Sequence, residues 1–314
     1  MSIASPLVSI GLPVYNGESL LERAVDSLLA QTFRDFELII SDNASTDSTP
    51  FICQRYADSD SRVRYFRNDT NLGGCANAEI VHRKARGCYF MFGSHDDYWY
   101  PEFIEKCLVP LEKDPKVVLV YPRTVIMSSE GQDLRTYADD IDTRGMEHVE
   151  ARVAKVHYGA AFRTAIYGLM RRELGLSCLP SARVFAPDHV FLTQMAMHGQ
   201  FANVPETLFK YTRQAKLVSL KLRSTEYYAY YQRMQEPKAW SILKYRGYWG
   251  TTVCICWRVW KAPLTLKEKL TVMFKTVSWC LHQEVPPSVM KVLDKMASPF
   301  LNICKIVGGI GRPR

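Results

Sequence analysis

The first 120 residues alternate between short apolar runs and segments with helical spacing, and that alternation most restricts the fold. Residues 7–12 form an apolar run that stops at Pro13, and Leu20, Leu21, Ala24, Val25, Leu28 and Leu29 then recur at helical intervals over residues 18–31. Phe36-Glu37-Leu38-Ile39-Ile40 reads as a second buried strand ending at Ser41-Asp42-Asn43. Ser45 or Thr46 is placed to cap the helix that follows, as far as about Tyr56. Residues 63–66 make a third strand. Asn71-Leu72-Gly73-Gly74 turns into a helix that ends near Gly87, which suits a C′ residue. Strands at 89–92 and 117–121 flank a helix opened by Pro101. The succession predicts an α/β fold, a mostly parallel Rossmann-like sheet flanked by helices. Ligands of such sheets bind beyond the carboxyl ends of the strands. Tyr15-Asn16, Asp42-Asn43 and His95-Asp96-Asp97 stand there.

Residues 132–156 read as polar loop and 158–172 as a turn and helix. A further helix is expected at 187–198, and strands at 201–204 and 208–211. Beyond about residue 219 the chain is helical and aromatic, with Tyr227, Tyr228, Trp240, Tyr248, Trp257 and Trp260 among others. The expected organisation is one domain over residues 1–218, divided near 125, and a basic, aromatic-rich helical C-terminal region over 219–314. Charge follows that division. Residues after 204 hold 19 Lys and Arg against 6 Asp and Glu, a balance of +13, while the preceding part is −5. A basic block suits nucleic acid, an anionic membrane surface or phosphate-bearing substrates, or is simply a solvated helical face. The nine cysteines are scattered without a zinc-like pair, which fits reduced thiols in a cytosolic compartment. No secretory signal and no uncharged apolar run of spanning length is visible. The stretch at 247–257 is cut short by Arg258 and Lys261.

Four positions carry candidate chemistry. Asp96 and Asp97 are adjacent carboxylates at a strand end and repel unless a cation joins them. Mg²⁺ or Mn²⁺, with substrate phosphates completing its shell, would do so; the alternative is a solvated turn with one Asp capping the next helix. Asp42 can accept a hydrogen bond from the imide N–H of uracil or thymine, or form an Asx-turn with Asn43. The loop Pro13-Val14-Tyr15-Asn16 offers the flat Tyr15 ring for stacking a base. Asp188 follows Pro187 at a helix start, where it either complements the helix dipole or serves as general base for an acceptor hydroxyl, a role His189 could also fill.

Val8-Ser9-Ile10-Gly11-Leu12-Pro13-Val14-Tyr15-Asn16 resembles the opening of family 2 inverting glycosyltransferases, which have the GT-A fold. The resemblance continues through residues 24–32 and 36–47, Asn71-Leu72-Gly73, Asn77, Ala85-Arg86-Gly87-Cys88-Tyr89 and Gly93-Ser94-His95-Asp96-Asp97-Tyr98-Trp99. It is dense over residues 7–125 and thinner over 155–215. It implies that residues 1–125 bind the nucleotide-sugar and 126–218 form the acceptor side. Pro13, Val14, Tyr15, Asn16, Asp42, Asn71 and Asn77 would hold the nucleotide, Asp96 would lie near the ribose and diphosphate, and Asp97 would bind the metal. Asp188, in Ala186-Pro187-Asp188-His189, would be the catalytic base, and Arg213, in Tyr211-x-Arg213, would assist the leaving diphosphate. Residues 166–172 resemble the acceptor side. The sequence departs from the family's acidic motif at His95, a position often acidic.

The reaction implied is a single displacement that inverts the anomeric carbon. The donor expected is a UDP- or dTDP-sugar, and the acceptor a saccharide or lipid-linked hydroxyl in polysaccharide or glycolipid synthesis. The protein is expected in the cytoplasm, with peripheral contact to the membrane's cytoplasmic face through the basic C-terminal region, and with no nucleic-acid partner. Two rivals stand beside this reading. A sugar-nucleotide nucleotidyltransferase would favour a Gly-rich phosphate loop with an early basic residue, whereas none precedes Arg23 after Pro13. A non-catalytic nucleotide-binding protein on a degenerate transferase fold is kept open by His95. A nicotinamide dehydrogenase lacks its GxGxxG signature here.

Overall fold

A computed structural model of the chain describes residues 5–137, 141–159, 163–180, 186–213 and 248–284. Strands β1 (Val8–Val14) and β2 (Phe36–Asp42) are buried along almost their whole length, as expected of parallel strands covered on both faces. They alternate with α1 (Leu21–Leu29) and α2 (Thr49–Ser59), followed by β3 (Val63–Arg67), α3 (Gly74–Lys84) and β4 (Tyr89–Phe92). The four strands lie in the order β3-β2-β1-β4, all parallel. Their carboxyl ends therefore share one edge.

The second half is mixed. It comprises β5 (Tyr98–Trp99), α4 (Phe103–Lys113), β6 (Val117–Ser128), β7 (Asp133–Tyr137), α5 (Val149–Gly159), a 3₁₀ turn (Thr164–Tyr167), β8 (Leu169–Arg171), α6 (Arg172–Cys178), α7 (Pro187–His198) and β9 (Gln200–Arg213). The sheet continues as β4-β8-β6-β9-β5. β8 is antiparallel to both neighbours, β6 and β9 are parallel, and β5 is antiparallel to β9. One core packs Val8, Ile10 and Leu12 of β1 against Leu21, Val25 and Leu28 of α1 and Ile104, Cys107 and Leu111 of α4. The other packs Phe90 and Phe92 against α5 and α7, and takes in Ile255 and Val259 of α8 (Tyr248–Lys261) and Val272 of α9 (Leu266–Glu284).

Several local expectations are corrected. Residues 158–172, expected as turn and helix, instead contain the end of α5, the 3₁₀ turn and β8, whose three residues are too few for a two-residue period to register. The loop expected at 132–156 contains β7 and the start of α5. The two strands expected at 201–204 and 208–211 are one, β9, which passes Pro205 by a register shift opposite Pro122 and Arg123. Ser45 and Thr46 do not cap α2, which begins at Thr49 with Ser48 before it. Gly87 is not a left-handed helix cap, because α3 ends at Lys84 with Ala85 already extended. Its glycine is required by a close approach instead: a Cβ there would lie 2.8 Å from Ser9 N and 2.9 Å from the Leu7 carbonyl oxygen.

The Glu37 side chain, 2% exposed, fastens this same region. Its carboxylate accepts hydrogen bonds from Ser9 Oγ (2.7 Å), Arg64 Nη1 (2.6 Å), Arg86 N (2.8 Å) and Arg86 Nε (3.0 Å). Burial works to raise its pKa, but the hydrogen bonds from Ser9, Arg64 and Arg86 prevail and hold the carboxyl below its usual value. A depressed carboxyl stabilises the fold above its unfolded pKa, and that contribution fades as the pH drops through the folded value. Glu37→Gln is expected to cost about 2 kcal/mol at neutral pH, less than for a fully buried pair because both arginines are partly exposed. In denaturant titrations the difference from the native protein should shrink below pH 4.5.

Candidate active site

The loops after β1 and β2 are stitched together by short polar side chains. Asn16 N–H donates to Ser45 Oγ (2.9 Å), Thr46 N–H donates back to Asn16 Oδ1 (2.9 Å), and Gly17 N–H donates to Thr49 Oγ1 (2.8 Å). Ser45 and Thr46 thus serve the loop after β1. Asn16 (φ 50°) and Ala44 (φ 61°) adopt left-handed backbone to make these turns. Tyr15 stands on the rim, 44% exposed, while Val14 is buried and Pro13 partly so.

Asp42 is fully buried. Its Oδ1 accepts from Ser45 N–H (2.9 Å), and its Oδ2 from Tyr65 Oη (3.1 Å) and Arg67 Nη1 (3.2 Å). Arg67 also donates to the Ser45 carbonyl at 2.9 Å and keeps much of its side chain exposed. Asn71 and Asn77 belong to an amide network. Asn43 Nδ2 and Gly73 N–H donate to Asn71 Oδ1 (2.8 and 2.9 Å), and Asn77 Nδ2 donates to the Ser41 carbonyl while its Oδ1 accepts from Ser41 Oγ (both 2.7 Å). Asn77 is buried and braces the loops from below.

The acidic segment follows β4. His95 sits against Gly17, where an added Cβ would lie 2.9 Å from His95 Cδ2, so this segment abuts the loop after β1. The two aspartates then part. Asp97 is fully buried; its Oδ1 accepts from Thr212 N–H at 2.7 Å and its Oδ2 has no hydrogen-bond partner among the described residues. Burial, then the charge of Asp96, pushes its carboxyl well above the usual carboxylate range. The Asp96 side chain is partly exposed and takes a short hydrogen bond from Ser94 Oγ. Its carbonyl accepts from Arg23 Nη2 (2.7 Å) and Thr212 Oγ1.

On the other side of the edge, Asp188 lies in the first turn of α7, after Ala186 in left-handed backbone (φ 51°). Its Oδ1 accepts from His189 N–H at 2.9 Å, so it does cap its own helix, while Oδ2 lies 4.0 Å from Arg163 Nη1. Arg163 is itself left-handed (φ 56°) and donates from Nε to His189 Nδ1 at 3.2 Å. That contact makes His189 an Nε2–H tautomer, which donates to His157 Nδ1 at 2.9 Å. Burial, with the charges of His157 and Arg163, holds His189 well below the ordinary histidine pKa, and His157 is lowered to about 3 by burial and Arg163. Both ring nitrogens of His189 are thereby committed inside the protein, which leaves Asp188 the better placed of the two candidate bases.

Tyr167 joins the halves. Burial, then the charges of Asp97, Tyr211, Asp96 and Asp188, drive its hydroxyl well above the usual phenol range, so the acidic segment and Asp188 both lie in electrostatic range of one side chain. Arg213 ends β9 opposite Ser128, and its side chain lies outside the described residues. Sequence reasoning missed Arg23, Arg67, Arg163, Tyr167 as a junction, and Thr212. Arg23 and Tyr167 lay in segments already singled out, but no spacing rule reports a donor arriving from a distant strand.

Among the described residues no three His, Cys, Asp or Glu side chains gather into a ready-made metal site. A hard cation fits here only if phosphate oxygens supply most of its shell. The carboxylate open to the edge for that purpose is that of Asp96, whereas the orphaned Oδ2 of Asp97 is sealed inside.

The sequence profile of glycosyl transferase family 2 matches residues 9–175. A glycosyltransferase of Rickettsia typhi is 42% identical over 119 residues, 37% of this chain and 36% of that protein. The chondroitin synthase of Escherichia coli is 35% identical over 127 residues, 40% of this chain and 18% of that protein. The match thus spans well under two thirds of these curated relatives' length. Among solved structures, Staphylococcus aureus TarS 1-349 superposes with a TM-score of 0.63 at 15% identity, over 88% of this chain and 72% of that one. The mannosyltransferase PcManGT of Pyrobaculum calidifontis, in complex with GDP-Man and Mn²⁺, gives 0.53 at 16%, over 95% and 81%. Fold and profile agree, and the chain belongs to glycosyl transferase family 2, with a GT-A fold.

Proposed function

We propose that the chain transfers a sugar from a nucleoside-diphosphate donor to an acceptor hydroxyl in one inverting displacement. The observation that carries the reading is the placement of Asp96 and Asp97, directly after β4 and tied to Thr212 of β9, at the shared carboxyl edge of the parallel strands, with Asp188 of α7 in electrostatic range of the same Tyr167 side chain. Support for the donor class comes from neighbours of the same fold: TarS is known in complex with UDP and with UDP-GlcNAc, and PcManGT with GDP-Man and Mn²⁺. A UDP- or dTDP-sugar is the donor we favour, with a saccharide or lipid-linked acceptor.

The base of the donor would stack on Tyr15. Arg67 is the group that meets its carbonyl edge, and Asp42 acts behind it by fixing the guanidinium, rather than as the direct ligand the sequence led us to expect. Asn71 and Asn77 act by holding those loops. Asp96 would hold Mg²⁺ or Mn²⁺ together with the diphosphate, and the ion would neutralise charge on the leaving group. The metal assignment thus moves from Asp97 to Asp96, because the Asp97 carboxyl is fully buried and bonded to the Thr212 amide while the Asp96 side chain is partly exposed. Arg213 remains our candidate to assist the departing diphosphate. Asp188 would take the acceptor proton, its orientation set by the His189 amide and the nearby Arg163.

Asp188→Asn is expected to lower kcat by about 10²–10⁴-fold while donor affinity stays within about threefold, because the amide keeps the capping contact but cannot accept the proton. Product formation from a panel of nucleotide-sugars checks the first, and calorimetry the second; unchanged kcat removes Asp188 from the role. For the acidic pair, Asp96→Asn should abolish the Mn²⁺-dependent part of UDP binding, and Asp97→Asn should preserve it. Asp97→Ala should instead lower stability by about 1–3 kcal/mol, since the Thr212 amide loses its acceptor. The alternative of a non-catalytic nucleotide-binding protein expects no sugar transfer by any of these proteins, the unsubstituted one included.

A further inference from the structure

Helices α8 and α9 form a hairpin with one face docked and the other exposed among the described residues. Ile255, Val259 and Val272 are fully buried in the second core, and Arg258 donates to the Leu179 carbonyl at 2.6 Å and to Gln194. On the opposite face of α8, Val253, Trp257 and Trp260 recur at i, i+4 and i+7, and on α9 Leu266, Leu270 and Phe274 at i, i+4 and i+8. All six are 42–62% exposed. Lys261 Nζ lies 4.4 Å from the Trp257 ring, and Lys269 of α9 reaches to 5.7 Å from the Trp260 ring of α8, joining the two stripes.

Charge on this hairpin is one-sided. Lys261 and Lys267 are exposed and Lys269 partly so. The one acidic residue between positions 248 and 283 is Glu268, whose carboxylate is occupied in a capping box by Thr265 N–H (2.8 Å) and Oγ1 (2.7 Å). An apolar strip carrying tryptophans edged with lysines has the chemistry of a lipid–water boundary, where indole rings settle at headgroup level and ammonium groups meet anionic headgroups. A second copy would set lysines against lysines. Among the described residues no helix is long and apolar enough to cross a membrane, so contact would be along the surface.

We propose that the outer face of the α8–α9 hairpin rests on an anionic lipid surface, with Trp257 and Trp260 as its anchors. α8 packs on α7, whose first turn carries Asp188, so the resting face is joined directly to the helix that carries this residue. The proposal stands whether or not Asp188 is the base.

Flotation of the full chain with phosphatidylcholine vesicles, with and without phosphatidylglycerol, tests it. At low salt, partitioning onto the anionic vesicles should exceed that onto neutral ones by about tenfold or more, and high salt should weaken it. The exposed-face variant Trp257→Ser/Trp260→Ser should bind about tenfold more weakly with an unchanged circular dichroism spectrum and UDP affinity. Lys261→Glu/Lys267→Glu should do likewise. No uptake at low salt would overturn the proposal. So would uptake that the tryptophan variant leaves unchanged, which would put the contact elsewhere in the basic chain, or a solution dimer that the same variant dissolves.

Discussion

A single hydrogen bond, from the Thr212 amide to the buried carboxyl of Asp97, decides where most of the candidate site can be. β9 runs the length of β6, pairs with β5 as it passes, and returns at Thr212 to the segment that follows β4. Thr212 then grips the neighbouring residue as well, because its hydroxyl and Arg23 both donate to the Asp96 carbonyl. Burying an acid is costly, and burial with the neighbouring charge of Asp96 pushes this carboxyl well above its usual range. The consequence is a division of labour within two consecutive residues. One carboxyl locks the edge of the sheet, and the other is left facing the space beyond it.

The rest of the edge is held by comparable devices. Asn16, Ala44, Arg163 and Ala186 are the non-glycine residues with positive φ among those described, and each lies on a loop bordering the candidate site. Such backbone is sustained only where neighbours over-determine it. Ser45, Thr46 and Thr49 do so for the first loop, and the neutral His189–His157 pair helps to hold Arg163 beside Asp188. Buried neutral histidines give Arg163 an acceptor without adding a competing charge.

The parallel half was legible because its strands are buried on both faces and its helices are amphipathic. β4 and α7 appear within the bounds expected from sequence, and β1 and β2 within a residue or two. β8 was not legible, because three residues carry no period, and neither was the continuity of β9 past Pro205, which rests on a register shift made by its partner β6. At the site, residue identity pointed to the correct loops, but the direction of each side chain depended on donors from afar. Asp42 is turned inward by Tyr65 and Arg67 from β3, and Asp97 by Thr212 from β9. Neighbouring aspartates look interchangeable in a string of letters; their difference comes from a strand more than a hundred residues downstream.

In the proposed mechanism Asp96, and not Asp97, would meet a cation bound with the donor. Anomalous scattering from crystals grown with UDP and Mn²⁺ would locate the ion directly. A peak bound by the Asp96 carboxylate and the diphosphate, with Asp97 still bonded to the Thr212 amide, is the expected result. A manganese ion ligated by Asp97, with that amide released, would contradict it.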